Sequence, residues 1–129
     1  MILLDASVIV DYMRRPTDRV SALLDSNRPF VAGVTRAELL HGARGARELE
    51  TLEQSLAHFR QVLTQESTWT QLARNLYSLR VAGLAVTFQD VLLATLAIEN
   101  GMEVWTLDAH FQMMRQVLTA LKIFQPEAE

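Results

Sequence analysis

Short continuous apolar runs alternate along this chain with longer stretches in which apolar residues recur every third or fourth position. Ile2-Leu3-Leu4, Phe30-Val31-Ala32, Met102 to Thr106 and Ile123-Phe124 are the continuous runs. Runs this short, without polar alternation, read as buried strands. Between them, Ser7 is placed to cap a helix reaching about Met13, which Pro16 then stops. Thr17 to Ser26 reads as a second helix with Val20, Leu23 and Leu24 on one face, and Asn27-Arg28-Pro29 breaks it. Thr35-Arg36-Ala37-Glu38 has the form of a capping box that opens a third helix, weakened at its end by Gly42 and Gly45.

Leu49, Leu52, Leu56, Phe59 and Leu63 follow at spacings of 3, 4, 3 and 4, an amphipathic helix stripe. Val62-Leu63-Thr64 can instead turn into a strand. Thr68 to about Val81 predicts a helix with Trp69, Leu72, Leu76 and Leu79 inward and Gly83 past its end. Thr87 to Glu99 has few polar positions and predicts a largely buried helix, ended by Asn100-Gly101. His110 to Leu121 aligns Phe111, Met114, Leu118 and Leu121 on one helical face. Strands and helices in alternation predict an α/β fold built on a parallel sheet flanked by helices.

Length and composition bound the function classes. The chain has 129 residues, half of them hydrophobic and 21% charged, so residues 1–129 read as one domain with a real core, not a disordered segment. It has no cysteine, which excludes disulfides, thiolate zinc sites and cysteine nucleophiles. No pair of its three histidines has the spacing of a helical zinc site. The net charge is −3, so any contact with nucleic acid must be local or carried by a metal. Residues 14–60 hold eight of the eleven arginines and six acids, which makes this stretch mildly basic. Asp5 interrupts the apolar start, and no run approaches the roughly 18 apolar residues of a membrane span. A soluble, cytoplasmic protein with no membrane partner is the expectation.

Most acids need no special account, including Glu127 and Glu129 in the tail. Four are placed differently. Asp5 follows the first strand, and Asp108 follows Val104-Trp105-Thr106. The carboxyl ends of parallel strands form the ligand crevice of an open sheet. Glu38 and Asp90 each stand three residues after a capping threonine, in Thr35-x-x-Glu38 and Thr87-x-x-Asp90. Each acid alone fits a helix-capping role. Together they can converge on one rim, where their mutual repulsion needs a cation. Oxygen ligands without a His or Cys set favour Mg²⁺ or Mn²⁺. The chemistry implied is metal-assisted hydrolysis of a phosphate ester.

Four motifs carry a resemblance. Leu3-Leu4-Asp5-Ala6-Ser7 resembles the apolar-Asp-x-Ser/Thr opening of the PIN-domain ribonucleases, and of the VapC-type toxins among them. Val34-Thr35-Arg36-Ala37-Glu38-Leu39 is similar to their second acidic motif, Asp90 to Ala97 to their Asp-x-x-apolar-Ala helix, and Thr106-Leu107-Asp108 with Phe111 to their Thr-x-Asp-x-x-Phe motif. The resemblance implies a PIN-like fold with a short parallel sheet of about five strands. It implies Mg²⁺- or Mn²⁺-dependent RNA endonuclease activity that leaves a 5′-phosphate and a 3′-hydroxyl. Asp5, Glu38, Asp90 and Asp108 become the metal-site carboxylates, and Ser7 and Thr106 the hydroxyls that orient them. Ala6 replaces a common Thr, and His110 stands where some relatives carry a further acid. His110 and Arg36 are candidate substrate contacts, and His110 also reads as a helix-start polar residue. The leucine stripe and the helix of residues 17–26 can form a groove. In this toxin class such a groove accepts a cognate, VapB-like antitoxin. The resemblance also implies a homodimer. A phosphoacceptor receiver domain also gathers acids at strand ends, but it needs a mid-sheet Asp that this chain lacks. A catalytically silent binding module is the other alternative.

Overall fold

The computed structural model describes residues 1–126; Glu127 and Glu129 lie outside the described residues. The elements run β1 Ile2–Leu4, α1 Ala6–Arg14, α2 Asp18–Asn27, β2 Phe30–Ala32, α3 Gly33–His41, α4 Ala46–Leu56, β3 Arg60–Val62, α5 Glu66–Val81, α6 Phe88–Glu99, β4 Glu103–Trp105, α7 His110–Arg115 and β5 Lys122–Ile123. The strands form one parallel five-stranded sheet in the order β3-β2-β1-β4-β5. The expected α/β architecture is therefore present, and the first strand lies at its centre.

Continuous apolar runs follow from helices covering both faces of the sheet. Side chains alternate along each strand. Leu3, Ala32 and Val104 pack on one face with α5, α6 and α7 residues such as Leu72, Leu93 and Phe111. Ile2, Leu4, Val31 and Trp105 pack on the other with Val8, Ile9 and Leu56. Seven successive residues of α6, Val91 to Ala97, are buried, as its lack of polar positions predicts. Gly101 closes that helix at φ +63°, a conformation that favours glycine.

Several boundaries differ from the sequence expectation. Ser7 does not cap α1; the cap position is Asp5, and Ser7 lies inside the helix. Thr35 does not cap α3, which already begins at Gly33, and its side chain is buried. The Leu49–Leu63 stripe is not one helix. α4 ends at Leu56, Arg60–Val62 forms β3, and Leu63 is 78% exposed beyond it. α5 starts at Glu66 with Gln65 and Thr68 closing a reciprocal capping box. Trp69 points outward and is 45% exposed. α7 stops at Arg115, although Leu118 and Leu121 remain in the core through the turns that follow. Among the described residues, no helix is long and apolar enough to cross a membrane.

Candidate metal centre

Pairing of β1 with β4 brings the two ends of the chain together. Leu4 is in register with Trp105, and the next residue, Asp5, donates its N–H to the Trp105 carbonyl at 2.9 Å. Asp5 is thus a buried carboxylate at the carboxyl end of the central strand. The Ser7 hydroxyl donates to Asp5 Oδ2 at 2.6 Å, and the Thr106 hydroxyl donates to the same oxygen at 2.8 Å. Each hydroxyl has one proton, so both are spent on Asp5 and the Ser7–Thr106 contact of 3.4 Å is not a further bond. Two donors on one oxygen fix the rotation of the carboxylate.

The same hydroxyls act as acceptors for the loop after β4. Ser7 Oγ accepts from the Leu107 N–H at 3.0 Å, and Thr106 Oγ1 from the Asp108 N–H at 2.9 Å. Asp108 Oδ1 then accepts from the His110 N–H at 2.9 Å and lies 3.0 Å from His110 Nδ1. A chain of bonds therefore runs from the first strand to the start of α7. From α6, the Thr87 hydroxyl caps the helix by accepting the Asp90 N–H at 3.2 Å. The ligand atoms of Asp90, Asp108 and His110 all lie within 4.8 Å of one another.

Glu38 comes from α3, which packs against both α1 and α6. It sits mid-helix on an exposed rim, so the two Thr-x-x-acid patterns have different structural outcomes. Its carboxyl is held above its ordinary value, first by partial burial and then by the charges of Asp5 and Asp90. Asp90 is raised as well, first by burial and then by Asp5; Asp108 adds to this, while Thr87 and His110 oppose it. Asp5, Glu38 and Asp90 thus lie within electrostatic reach of one another and Asp108 within reach of Asp90, with Ser7 and Thr106 bonded to Asp5. His110 joins the acids rather than standing off from them. Arg36 is half-buried, its Nε has no hydrogen-bond partner, and its charge is not among those that move Glu38 or Asp90.

His41 is the residue that sequence reasoning passed over. Its Nδ1–H donates to the Glu38 carbonyl at 2.7 Å, and its charge counteracts the rise at Glu38. The available signal was its position three residues after Glu38, which puts the two side chains on one helical face. The cluster as a whole, hard carboxylate oxygens whose repulsion is unrelieved by any lysine or arginine in these shifts, suits a divalent cation.

The family model for the PIN domain matches residues 2–116. The chain belongs to the PIN domain family. Among curated proteins, none matches. Among solved structures, this PIN domain is 28% identical to a chain of FitAB bound to an IR36 DNA fragment, covering 100% of this chain and 98% of that one with a TM-score of 0.76. It is 25% identical to a chain of FitAcB from Neisseria gonorrhoeae over 98% of both chains, TM-score 0.72. A chain of VapBC-1 from nontypeable Haemophilus influenzae superposes at TM-score 0.81 over 97% of this chain and 98% of that one, and at 19% identity speaks to the fold alone. Family membership removes the receiver-domain alternative.

This PIN domain also carries the groove expected from the leucine stripe. A cavity of about 550 Å³ lies between α1, α2 and α4, with Val8, Ile9, Leu24, Leu52, Leu56 and Phe59 on its walls. The contribution of α1 was not foreseen. Leu49 and Leu63, the ends of the stripe, are not part of it. Arg28 and Arg60 border the groove. Arg60 is held in place by the Arg28 carbonyl and by the face of Phe30, 4.2 Å away.

Proposed function

We propose that this PIN domain is a Mg²⁺- or Mn²⁺-dependent endoribonuclease that acts as the toxin of a toxin–antitoxin pair. The observation that carries the reading is the approach of Asp5, Glu38, Asp90 and Asp108, acids up to 103 positions apart, beside the carboxyl ends of β1 and β4, where Glu38 and Asp90 have raised proton affinity. In this reading Asp5, Asp90 and Asp108 hold the cation, and Glu38 completes the set from the rim. A cation held there would supply Lewis-acid chemistry at a phosphoryl oxygen and lower the pKa of a water. Ser7 and Thr106 act through Asp5: they keep one of its oxygens bonded and its plane fixed. The Thr106–Asp108 and Asp108–His110 bonds do the same for the loop that presents Asp108. Arg36 is proposed as a substrate contact on the α3 side.

The likeness to the FitAB and FitAcB chains supports the toxin assignment, together with the groove between α1, α2 and α4. An amphipathic antitoxin segment fits such a groove by laying its apolar face on Leu24, Leu52 and Phe59. The cytoplasm and a homodimer complete the proposal. Incubating the purified protein with RNA should give endonucleolytic products with Mg²⁺ or Mn²⁺ and none with EDTA. Asp5→Asn should abolish cleavage with the circular dichroism spectrum unchanged. Cleavage retained in that variant would remove the assignment.

A further inference from the structure

We propose that His110 is a metal ligand, and that its ring nitrogen makes the Asp90–Asp108 end of the pocket a mixed nitrogen–oxygen site that takes Mn²⁺ ahead of Mg²⁺. This rests on the metal-dependent reading above and narrows it.

Three observations point the ring inward. A ring nitrogen of His110 and one oxygen each of Asp90 and Asp108 lie within 4.8 Å of one another. Two opposite ligands of an octahedral ion bonded at about 2.1 Å stand about 4.2 Å apart, so small side-chain rotations bring all three onto one ion. The Nδ1–Oδ1 separation of His110 and Asp108 is already 3.0 Å, and adjacent ligands on such an ion are about 3.0 Å apart. This placement is built by the backbone. The Asp108 carboxylate accepts the His110 N–H, and Thr106 holds the Asp108 N–H, so the loop delivers both side chains together.

Two other roles fit these contacts less well. A histidine that reads substrate phosphate alone would face away from the acids, whereas this ring lies against Asp108. A simple ion pair with Asp108, both side chains part-exposed, contributes little in water and does not account for the approach of Asp90.

The donor chemistry then sets the ion. Mg²⁺ is hard, dehydrates reluctantly and is served by oxygen. Replacing one oxygen by an imidazole nitrogen favours first-row transition ions, whose affinity at such sites rises from Mn²⁺ upward. Mn²⁺ is the weakest binder of that series and so the most stringent probe of the nitrogen.

The test is a titration of metal-depleted protein with Mn²⁺, followed by electron paramagnetic resonance, with Mg²⁺ as competitor. The wild-type chain should bind Mn²⁺ about tenfold or more tightly than Mg²⁺, and its loaded spectrum should carry nitrogen coupling. His110→Ala should lose the coupling and weaken Mn²⁺ about tenfold while moving Mg²⁺ less than about twofold. His110→Asp should lose the coupling and narrow the gap between the two ions. Melting in EDTA checks that both variants fold; if His110→Ala does not, the wild-type coupling and His110→Asp decide. Mn²⁺ binding without nitrogen coupling, or equal weakening of both ions in His110→Ala, overturns the inference and leaves the nuclease reading standing. No divalent binding by the wild-type chain overturns both.

Discussion

Neutralising Asp90 should stabilise the metal-free protein while weakening its response to metal. The Asp90 carboxyl shares a 4.8 Å cluster with Asp108 and is further repelled by Asp5. Two unit charges at that distance repel by roughly 0.9 kcal/mol in water and roughly 3.5 kcal/mol at an effective dielectric of about 20. Asp90 is half-buried, so about 1–2 kcal/mol is the reasonable range. Its position in the first turn of α6 opposes this, since a charge there gains about 0.3–1 kcal/mol from the helix N-terminus. Burial, the largest cause of its raised pKa, and repulsion from Asp5 and Asp108 act in the same direction and outweigh that gain. Asn at position 90 keeps an acceptor for Thr87, so Asp90→Asn should gain about 1 kcal/mol at pH 7.5 in EDTA, or about 3 °C in Tm for a chain of this length.

The pH dependence fixes the sign independently. Asp90 titrates above its ordinary value of 3.8 when folded. The penalty on the folded state is therefore full above the raised value and is relieved as pH falls through it, because the folded chain takes up its proton first. The advantage of Asp90→Asn should shrink over that window. Conversely, Mg²⁺ or Mn²⁺ at a hundredfold its Kd should add about 2.7 kcal/mol to the wild type and markedly less to the variant. Thermal unfolding in EDTA and in saturating metal, at pH 7.5 and near pH 4.5, measures all of this. A metal-free variant that melts below the wild type at pH 7.5 would refute the reasoning.

Other predictions probe separate parts of the molecule. Ser7→Ala removes one of two donors to a buried carboxylate and should cost about 1.5–3 kcal/mol in urea unfolding; if the hydroxyl also orients the site, RNA cleavage should fall more than the loss of folded protein explains. Leu72→Ala should cost about 2–5 kcal/mol by leaving a core cavity, whereas Trp69→Ala, at an exposed position, should cost clearly less despite deleting the larger side chain. Leu52→Glu in the groove should block binding of an amphipathic antitoxin segment, measured by gel filtration of the mixture, while leaving metal-dependent cleavage intact.

Four of the strands were legible because burial on both faces writes a continuous apolar run, whereas β3, Arg60-Gln61-Val62, carries no such run. The helix faces were less so. On α5 the inward positions are Thr68, Leu72, Asn75 and Leu79. Thr68 donates to Glu99 at 2.8 Å and Asn75 to Thr95 at 2.9 Å, so polar residues occupy the core face with their bonds satisfied. A reading by hydrophobicity therefore chose Trp69 over its neighbour Thr68. Hydroxyls misled in the same way near the site. Ser7 and Thr35 have capping identities, but Ser7 is used by the Asp5 carboxylate and Thr35 is buried inside α3. Position relative to strand ends was the stronger signal, and it located Asp5 and Asp108. The approach of Asp90 to Asp108 and His110, set by tertiary contact, leaves no trace in spacing.

Anomalous diffraction from a Mn²⁺-soaked crystal tests the central claim most directly. The account predicts a peak in the pocket at the carboxyl ends of β1 and β4, within about 2.3 Å of Asp90 and Asp108 oxygens and shared with the Asp5 side. A fully occupied peak elsewhere with that pocket empty, or no peak at saturating Mn²⁺, would contradict it.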